Sequence, residues 1–393
     1  MLSQEEQNFI QAHADQDPHQ IALSGKKYPS LNVSLLASQI QARQKLNQKL
    51  PTWTSLPSLY FPASISLEQA SSEATAAFKA NLVHGNVLDA SGGMGVDAAA
   101  FAKKASQVVY VERQTDLQAI TAHNHSVLGL TNIDHVHGDS LAYLKSNPQA
   151  FDFIYLDPAR RNTKGDKVLL FKDCEPNALE FLPFIQGDTQ LLIKTSPLLD
   201  IERAIKELEG VDQVWVICMK NEVKELLFLK SKQANLEPKI QVIELHPEPR
   251  KLFLGDLATE KSLQNSIREL KNFIFEAHPG ILKAGFFKSI QSLGFQKLQI
   301  NTHLYTSEQA IEEAPGKSYR VIAKGPFDSQ WIGEQIPGRQ AHIHTRNFPL
   351  KPEEIRKKLK LKDGGSIYLF AYQNHLQKME IAITEKCNFN RDF

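Results

Sequence analysis

The stretch GNVLDASGGMGVDAAAFAKKASQVVYVER, residues 85–113, constrains the fold more than any other part of the chain. It reads as an apolar strand, a glycine-rich turn, a helix of small residues and a second strand ending in an acid. Glycines at such a turn let backbone N–H groups come close to a ligand at the start of a helix. The same alternation continues through IDHVHGD, FDFIYLDP, TQLLIKTSP and VDQVWVICM, each separated by a helical pattern. Strands alternating with helices imply βαβ units, and therefore a mainly parallel, doubly wound sheet covered by helices on both faces.

The flanking regions have a different texture. Residues 1–80 show helical spacing, as in SLLASQIQARQKL, interrupted by the proline-rich LPTWTSLPSLYFP. We expect a helical N-terminal region there, acting as a lid. The α/β part then spans 81–255. In 256–317, FIFEA, GILKAGFFKSIQSLG and FQKLQINTHLY suggest a small βαβ piece. In 318–393, SYRVIAKG, RQAHIHTRN, GSIYLFAYQ and LQKMEIAITEK read as strands around one basic helix, KPEEIRKKLKLK, an α+β pattern of the ferredoxin-like kind. Ser318 to Phe393 holds thirteen Lys and Arg against eight Asp and Glu, so the formal net charge of +1 for the 393 residues conceals a basic tail. The N-terminus MLSQEEQNFI has acids where a signal peptide carries bases, and no apolar run approaches the ~20 residues of a membrane span. The expectation is a cytoplasmic protein without a membrane partner. Cys174, Cys218 and Cys387 form no C-x-x-C pair, which argues against a zinc or redox site. The sequence sets no oligomeric state.

What the turn holds is decided by charge. Gly93-Met94-Gly95-Val96-Asp97-Ala98 fits the dinucleotide form G-x-G-x-x-[GA], and Glu112 lies where it could take ribose hydroxyls. However, Asp89 precedes the glycines, where it would repel a pyrophosphate and tolerate a cationic amino-acid moiety. Asp139 in VHGDS and Asp157 in IYLDPAR end two further strands, so four acids line the same crevice of a doubly wound sheet. The motifs VLDASGGMG, VYVER, HGDS and YLDPAR, in this order and spacing, resemble class I S-adenosylmethionine-dependent methyltransferases. That resemblance implies a Rossmann-like seven-stranded methyltransferase core with S-adenosyl-L-methionine as cofactor. The glycine turn, Gly93 and Gly95, would pass under the methionine portion, Glu112 would bind both ribose hydroxyls and Asp139 would receive the adenine amino group. Asp89, Ser91 and Ser140 complete the implied cofactor-binding set. Ser91 departs from many members, which have glycine there.

AITAHNHSVLGLTNIDHVHGDS resembles the A-x-x-N-x-x-x-x-G-L helix of RNA-modifying members. SSEATAAFKA, DPARRNTKGDKV, KTSPLLDI, NTHLYTS and IRKKLKLKDGGSIYLFA are similar to a bacterial methyltransferase family with a C-terminal ferredoxin-like segment and a THUMP-like domain. This resemblance implies structured RNA, tRNA or rRNA, as the partner of the basic C-terminal region.

An exocyclic base amine is a poor nucleophile because its lone pair is delocalised into the ring. An Asp and the carbonyl of the following Pro can accept its two N–H bonds and turn the lone pair toward a methyl group, and Asp157 and Pro158 supply that pair. Relatives usually follow with Pro and a stacking aromatic, but here Ala159 and Arg160 follow. A guanidinium plane, at Arg160 or Arg161, stacks on a base or holds a phosphate. Carbon-5 methylation of a pyrimidine would need a cysteine nucleophile, for which Cys174 is the nearest candidate. Lys194 reads as a substrate-side cation or a solvated lysine, and Ser72 or Glu73 as closing the cofactor cleft or capping a helix. The pairs His123/His125, His135/His137 and His342/His344 each lack a third ligand, so no metal is expected. Three other readings stay open: a methyltransferase of a small molecule or protein, an RNA-binding protein with a vestigial cofactor pocket, and an NAD oxidoreductase.

Overall fold

The computed structural model describes residues 1–62, 70–147, 151–160 and 170–389. It divides into two compact units, Met1–Asp212 with Leu227–Leu236, and Gln213–Leu226 with Glu237–Phe393.

The first unit opens with helices α1 (Gln4–Ala12), α2 (Pro18–Leu23), α3 (Val33–Leu46), α4 (Pro51–Thr54) and α5 (Glu73–Ala80), as the helical spacing predicts. Side-chain oxygens of Ser3, Asp17, Asn32 and Ser72 cap α1, α2, α3 and α5. Phe9, Ile21, Leu36 and Ile40 form the shared core of α1, α2 and α3. The proline-rich crossing is fixed by Arg43 of α3, which donates to the carbonyls of Leu56, Pro57 and Leu59 at 3.3, 2.9 and 2.7 Å. Its guanidinium also lies 4.9 Å from the centre of the Phe61 ring. Trp53 and Phe61 pack in one cluster with Met94, Val96 and Ala99. The helical region is thus held directly against the glycine turn and the helix that follows it.

The chain then runs through β1 (Asn86–Asp89), α6 (Val96–Phe101), β2 (Gln107–Glu112), α7 (Thr115–Val127), β3 (Ile133–His137), α8 (Ser140–Ser146) and β4 (Phe153–Leu156). A ribbon of two short antiparallel strands follows, β5 (Ala159–Arg160) and β6 (Cys174–Glu175), and then β7 (Gln190–Thr195) and α9 (Ile201–Glu207). The long strands pair in parallel in the order β7-β4-β1-β2-β3. The chain leaves β1 toward β2 on one side and returns to β4 on the other. The strand order therefore reverses at β1, the place where open α/β sheets form a ligand crevice beyond the strand ends. The α/β class expected from the alternating pattern is the one observed.

In the second unit Gln213–Met219 pairs in parallel with Lys239–Glu244, which pairs antiparallel with Arg250–Gly255. A separate seven-stranded sheet takes the order Gln296–Gln299, Thr302–Ser307, Phe273–Ala277, Gly316–Gly325, Met379–Lys386, Ile367–Gln373, His342–Arg346. Phe273–Ala277 and Gln296–Gln299 are separated by Thr302–Ser307, antiparallel to both, so the small βαβ piece is a split one. His342–Arg346 and Ile367–Gln373 lie parallel and are joined through the basic helix Pro352–Leu359, which buries Ile355 and Leu359 and carries its bases in the last turn.

Gly92, Gly93 and Gly95 all take left-handed backbone conformations, at φ 56°, 74° and 70°. At Gly95 a Cβ would lie 2.4 Å from Thr121 Cγ2 and 2.6 Å from His125 Nε2, both on α7. Gly95→Ala is expected to lose about 1–3 kcal/mol from the backbone alone. The clash adds to this loss, which a lowered urea midpoint of the purified protein would record.

Candidate functional site

The ends of β1, β2 and β4 meet around a cavity of about 370 Å³. Its wall includes Asp89, Ser91, Gly93, Gly95, Glu112, Ser140 and Asp157 from the predicted set. Each is placed by local structure. Asp89 is the last residue of β1 and is 1% exposed. Its Oδ1 accepts from the Ser91 backbone N–H and hydroxyl, both at 3.2 Å. The Ser91 hydroxyl oxygen also accepts from the Asp157 N–H at 2.8 Å. Serine in place of the usual glycine thus ties the end of β1 to the end of β4.

Glu112 closes the turn from the neighbouring strand. Its Oε2 accepts from the Gly93 N–H at 2.8 Å and its Oε1 from the Gln114 N–H at 2.7 Å. Gly92 must be glycine for this, since a Cβ there would lie 2.4 Å from Glu112 Oε2. At Gly93 a Cβ would meet nothing within 4 Å, so its face is open. Tyr110 holds the turn from beneath, donating to the Gly93 carbonyl at 2.5 Å, and Thr121 donates to the same carbonyl at 3.0 Å.

A second group of residues at the cavity was not legible in sequence. Asp97, in the first turn of α6, pairs with Lys79 of α5 at 3.2 Å and accepts from Tyr155 at 2.7 Å and Ser71 at 2.8 Å. Lys79 is fully buried. Burial drives the Asp97 pKa up, but Lys79, Lys194 and the Tyr155 and Ser71 hydrogen bonds outweigh it and leave the group below the ordinary carboxylate value. Among the described residues Asp89 has no such cation. Burial, then the charges of Asp97 and Asp157, push its pKa up to about 8. Ser71 lines the cavity, whereas Ser72 caps α5 and Glu73 accepts from the Thr52 N–H and hydroxyl at 2.8 and 2.9 Å. Glu73 therefore braces α4, and the cleft is faced one turn position earlier than expected.

Asp157 follows β4, and its Oδ2 accepts from Lys194 near the end of β7. Lys194 is 8% exposed, so it is a buried partner of Asp157 rather than a solvated lysine. Asp139 caps α8 by accepting from the Ala142 N–H at 2.7 Å, and its other oxygen accepts from Arg113 Nε at 3.1 Å. Burial raises its pKa, but the Ala142 hydrogen bond and Arg113 prevail and lower it. Arg113 also pairs with Glu175 of β6, so one guanidinium joins Asp139 to the ribbon that follows Asp157-Pro158. Asp139 and Pro158 stand outside the cavity wall itself. The Arg160 side chain and Arg161 lie outside the described residues, while the Arg160 backbone pairs with Cys174. Cys174 is buried and its thiol donates to the Leu170 carbonyl at 3.2 Å.

The histidine pairs serve the fold. His123 Nε2 lies 2.9 Å from the Ser58 carbonyl. His125 Nε2 lies 2.9 Å from the Gly95 carbonyl and its Nδ1 2.8 Å from His135 Nε2. Burial holds His125 near a pKa of about 4, so the ring is neutral, donating through Nε2 to Gly95 and accepting through Nδ1 from His135. His344 lies 3.1 Å from Glu276, with Arg346 at 2.6 Å from the other oxygen of that carboxylate.

Between the ordinary carboxylate range and about pH 8 the folded chain holds a proton on Asp89 that the unfolded chain has lost. Its contribution to stability is therefore complete below the unfolded pKa and falls as pH rises through about 8. Asp89→Asn should flatten this dependence. Urea midpoints of the two proteins at several pH values between 5 and 9, without ligand, would show the wild-type curve dropping relative to the variant.

Three family models match the chain: conserved hypothetical protein 95 over residues 72–172, a ferredoxin-like domain over 273–315, and a THUMP domain-like model over 316–386. An uncharacterized RNA methyltransferase of Mycoplasma mobile is 34% identical over 97 residues, 25% of this chain and 27% of that protein. The chain thus spans about a quarter of the length of that curated relative. An rRNA methylase from Streptococcus thermophilus covers 40% of this chain and 95% of its own at 17% identity, with a TM-score of 0.29. The crystal structure of a "putative methyltransferase" from Porphyromonas gingivalis W83 matches 98% of both chains at 32% identity, with a TM-score of 0.85. Fold, order of segments and end-to-end identity agree, and the chain belongs to the methyltransferase family of that Porphyromonas gingivalis protein.

Proposed function

We propose that this protein transfers a methyl group from S-adenosylmethionine to an exocyclic amine of a base in structured RNA, tRNA or rRNA. The observation that carries the reading is the acid-lined cavity on the glycine turn, with Asp89, Glu112 and Asp157 in its wall and Asp157-Pro158 at the end of β4. The carboxylates of Glu112 and Asp157 suit a cationic ligand and oppose a pyrophosphate, and a cation beside Asp89 would favour its ionised form as well. This favours a sulfonium cofactor over NAD. The open face of Gly93 and the lone pairs left on Glu112, whose oxygens each hold one backbone N–H, are compatible with an adenosine ribose lying across the turn. When bound, S-adenosylmethionine supplies an electrophilic methyl group.

The chain supplies position and acceptors. Asp157 and the Pro158 carbonyl take the N–H bonds of the amine and leave its lone pair directed at the methyl carbon. In-line positioning of this kind is worth up to ~7–11 kcal/mol. Cys174, buried in the β5–β6 ribbon, is poorly suited to nucleophilic attack, which disfavours pyrimidine carbon-5 chemistry. In this reading 1–80 is a helical lid, 81–255 the methyltransferase domain, 256–317 the ferredoxin-like segment and 318–393 the basic THUMP-like RNA-binding domain. The Mycoplasma relative, named as an RNA methyltransferase, and the THUMP domain-like match support RNA as substrate. Among the described residues no helix is long and apolar enough to cross a membrane.

Glu112→Ala removes the ribose acceptor, and two charge-assisted hydrogen bonds predict a loss of cofactor affinity of about 100-fold or more by calorimetry. Unchanged affinity would refute the pocket. Asp157→Ala should bind S-adenosylmethionine within a few-fold of wild type, yet transfer labelled methyl to RNA about 100–1000-fold more slowly. Transfer to protein or metabolite fractions instead of RNA would replace the substrate class.

A further inference from the structure

The partner of Asp157 bears on which base it reads. Asp157 and Lys194 follow each other across the sheet, because β4 and β7 run in parallel with Leu156 opposite Ile193. The Lys194 ammonium donates to Asp157 Oδ2, and its side chain is only 10% exposed. A second carboxylate, Asp97, also feels the Lys194 charge. A carboxylate held in an ion pair of this kind is an anion, and an anionic carboxylate offers acceptors only. Among the described residues Asp157 Oδ1 receives no hydrogen bond, so its lone pairs are available to a ligand.

The three bases with exocyclic amines differ at the neighbouring ring nitrogen. Guanine presents N1–H beside its N2 amine, two donors in a row. Adenine presents the N1 lone pair beside its N6 amine, and cytosine the N3 lone pair beside its N4 amine. An anionic carboxylate can accept from both guanine donors, with the Pro158 carbonyl taking the remaining N–H of the amine. Against adenine or cytosine the same carboxylate faces a lone pair, a repulsive contact that costs discrimination energy rather than supplying it.

We propose that Asp157, fixed as an anion by Lys194, selects guanine, and that the atom methylated is its exocyclic N2. The inference rests on the reading of the protein as an RNA amine methyltransferase. In the step, N2 forms a bond to the methyl carbon as the sulfonium carbon–sulfur bond breaks. The sulfur leaves as a neutral thioether, and the proton lost from N2 passes to Asp157 and then to water.

The test is to incubate the full chain with S-adenosylmethionine and unmodified tRNA and rRNA transcripts, digest the RNA, and identify methylated nucleosides by mass spectrometry. N2-methylguanosine is expected. N6-methyladenosine or N4-methylcytosine would overturn the guanine assignment while leaving RNA amine methylation intact, and would mean that Lys194 reads the ring nitrogen. 1-Methylguanosine would overturn the choice of atom. No methylated nucleoside, with transfer to protein or metabolites, would instead bring down the reading beneath it. Asp157→Asn, which exchanges one acceptor for a donor, should lower N2-methylguanosine formation about 10–100-fold at unchanged cofactor affinity. Lys194→Met should lower N2-methylguanosine formation about 10-fold at unchanged cofactor affinity, and Lys194→Arg, which keeps the cation, should restore it. A Lys194→Met enzyme with wild-type N2-methylguanosine formation, or one that Lys194→Arg fails to restore, would remove the lysine from this role.

Discussion

The carboxylate of Glu112 is the constraint on which the site depends. By accepting from the N–H groups of Gly93 and Gln114 it fastens the turn after β1 to the end of β2. That fastening leaves no room for a side chain at Gly92, and it turns the Gly93 carbonyl toward Tyr110 and Thr121. The glycine pattern and the acid nineteen residues after Gly93 are therefore one device. Neither half would shape the cavity alone, because an unfastened glycine turn has too many accessible conformations to present one face to a ligand.

Electrostatics in the cavity follow from how its acids are shared out among the cations. Lys79 serves Asp97, Lys194 serves Asp157, and Asp89 is left with hydroxyl and backbone donors from Ser91. Burial, and after it the charges of Asp97 and Asp157, raise the pKa of Asp89 to about 8. The strength of the two pairs also depends on burial. Lys79, on the buried face of α5, and Lys194, near the end of β7, are both withdrawn from solvent, where the low local dielectric makes pairing strong and loss of one partner costly.

The legible and illegible parts of the site separate along this line. Asp89, Glu112 and Asp157 stand at strand ends, and strand ends can be read from apolar runs a few residues long. The glycines announce left-handed backbone, and the structure has them there. Arg113 and Lys79 could not be found this way. Arg113 immediately follows Glu112 and resembles any surface base until Asp139 and Glu175 are brought to it from 26 and 62 residues away. Lys79 occupies a helix position that spacing alone would give to solvent or to an apolar residue, and only the packing of α5 on α6 explains its burial. SSEATAAFKA does contain the signal, since a lysine amid Ala and Phe is out of place on an apolar face, but its acid lies eighteen residues on.

Ser91 shows how a departure from a family pattern can be informative. With glycine there, the end of β1 would be linked to β4 through backbone pairing alone. The hydroxyl instead accepts from the Asp157 N–H while donating to Asp89, so the acid beneath the turn and the acid in the proposed amine site share one side chain. A shift in the charge on Asp89 acts on the orientation of that hydroxyl, and the hydroxyl acts on the backbone that aims Asp157. In the proposed reading the arrival of a sulfonium beside Asp89 favours its ionised form, which strengthens the bond from Ser91 and steadies Asp157. In that reading, cofactor binding and alignment of the amine acceptor are coupled over a path of two hydrogen bonds.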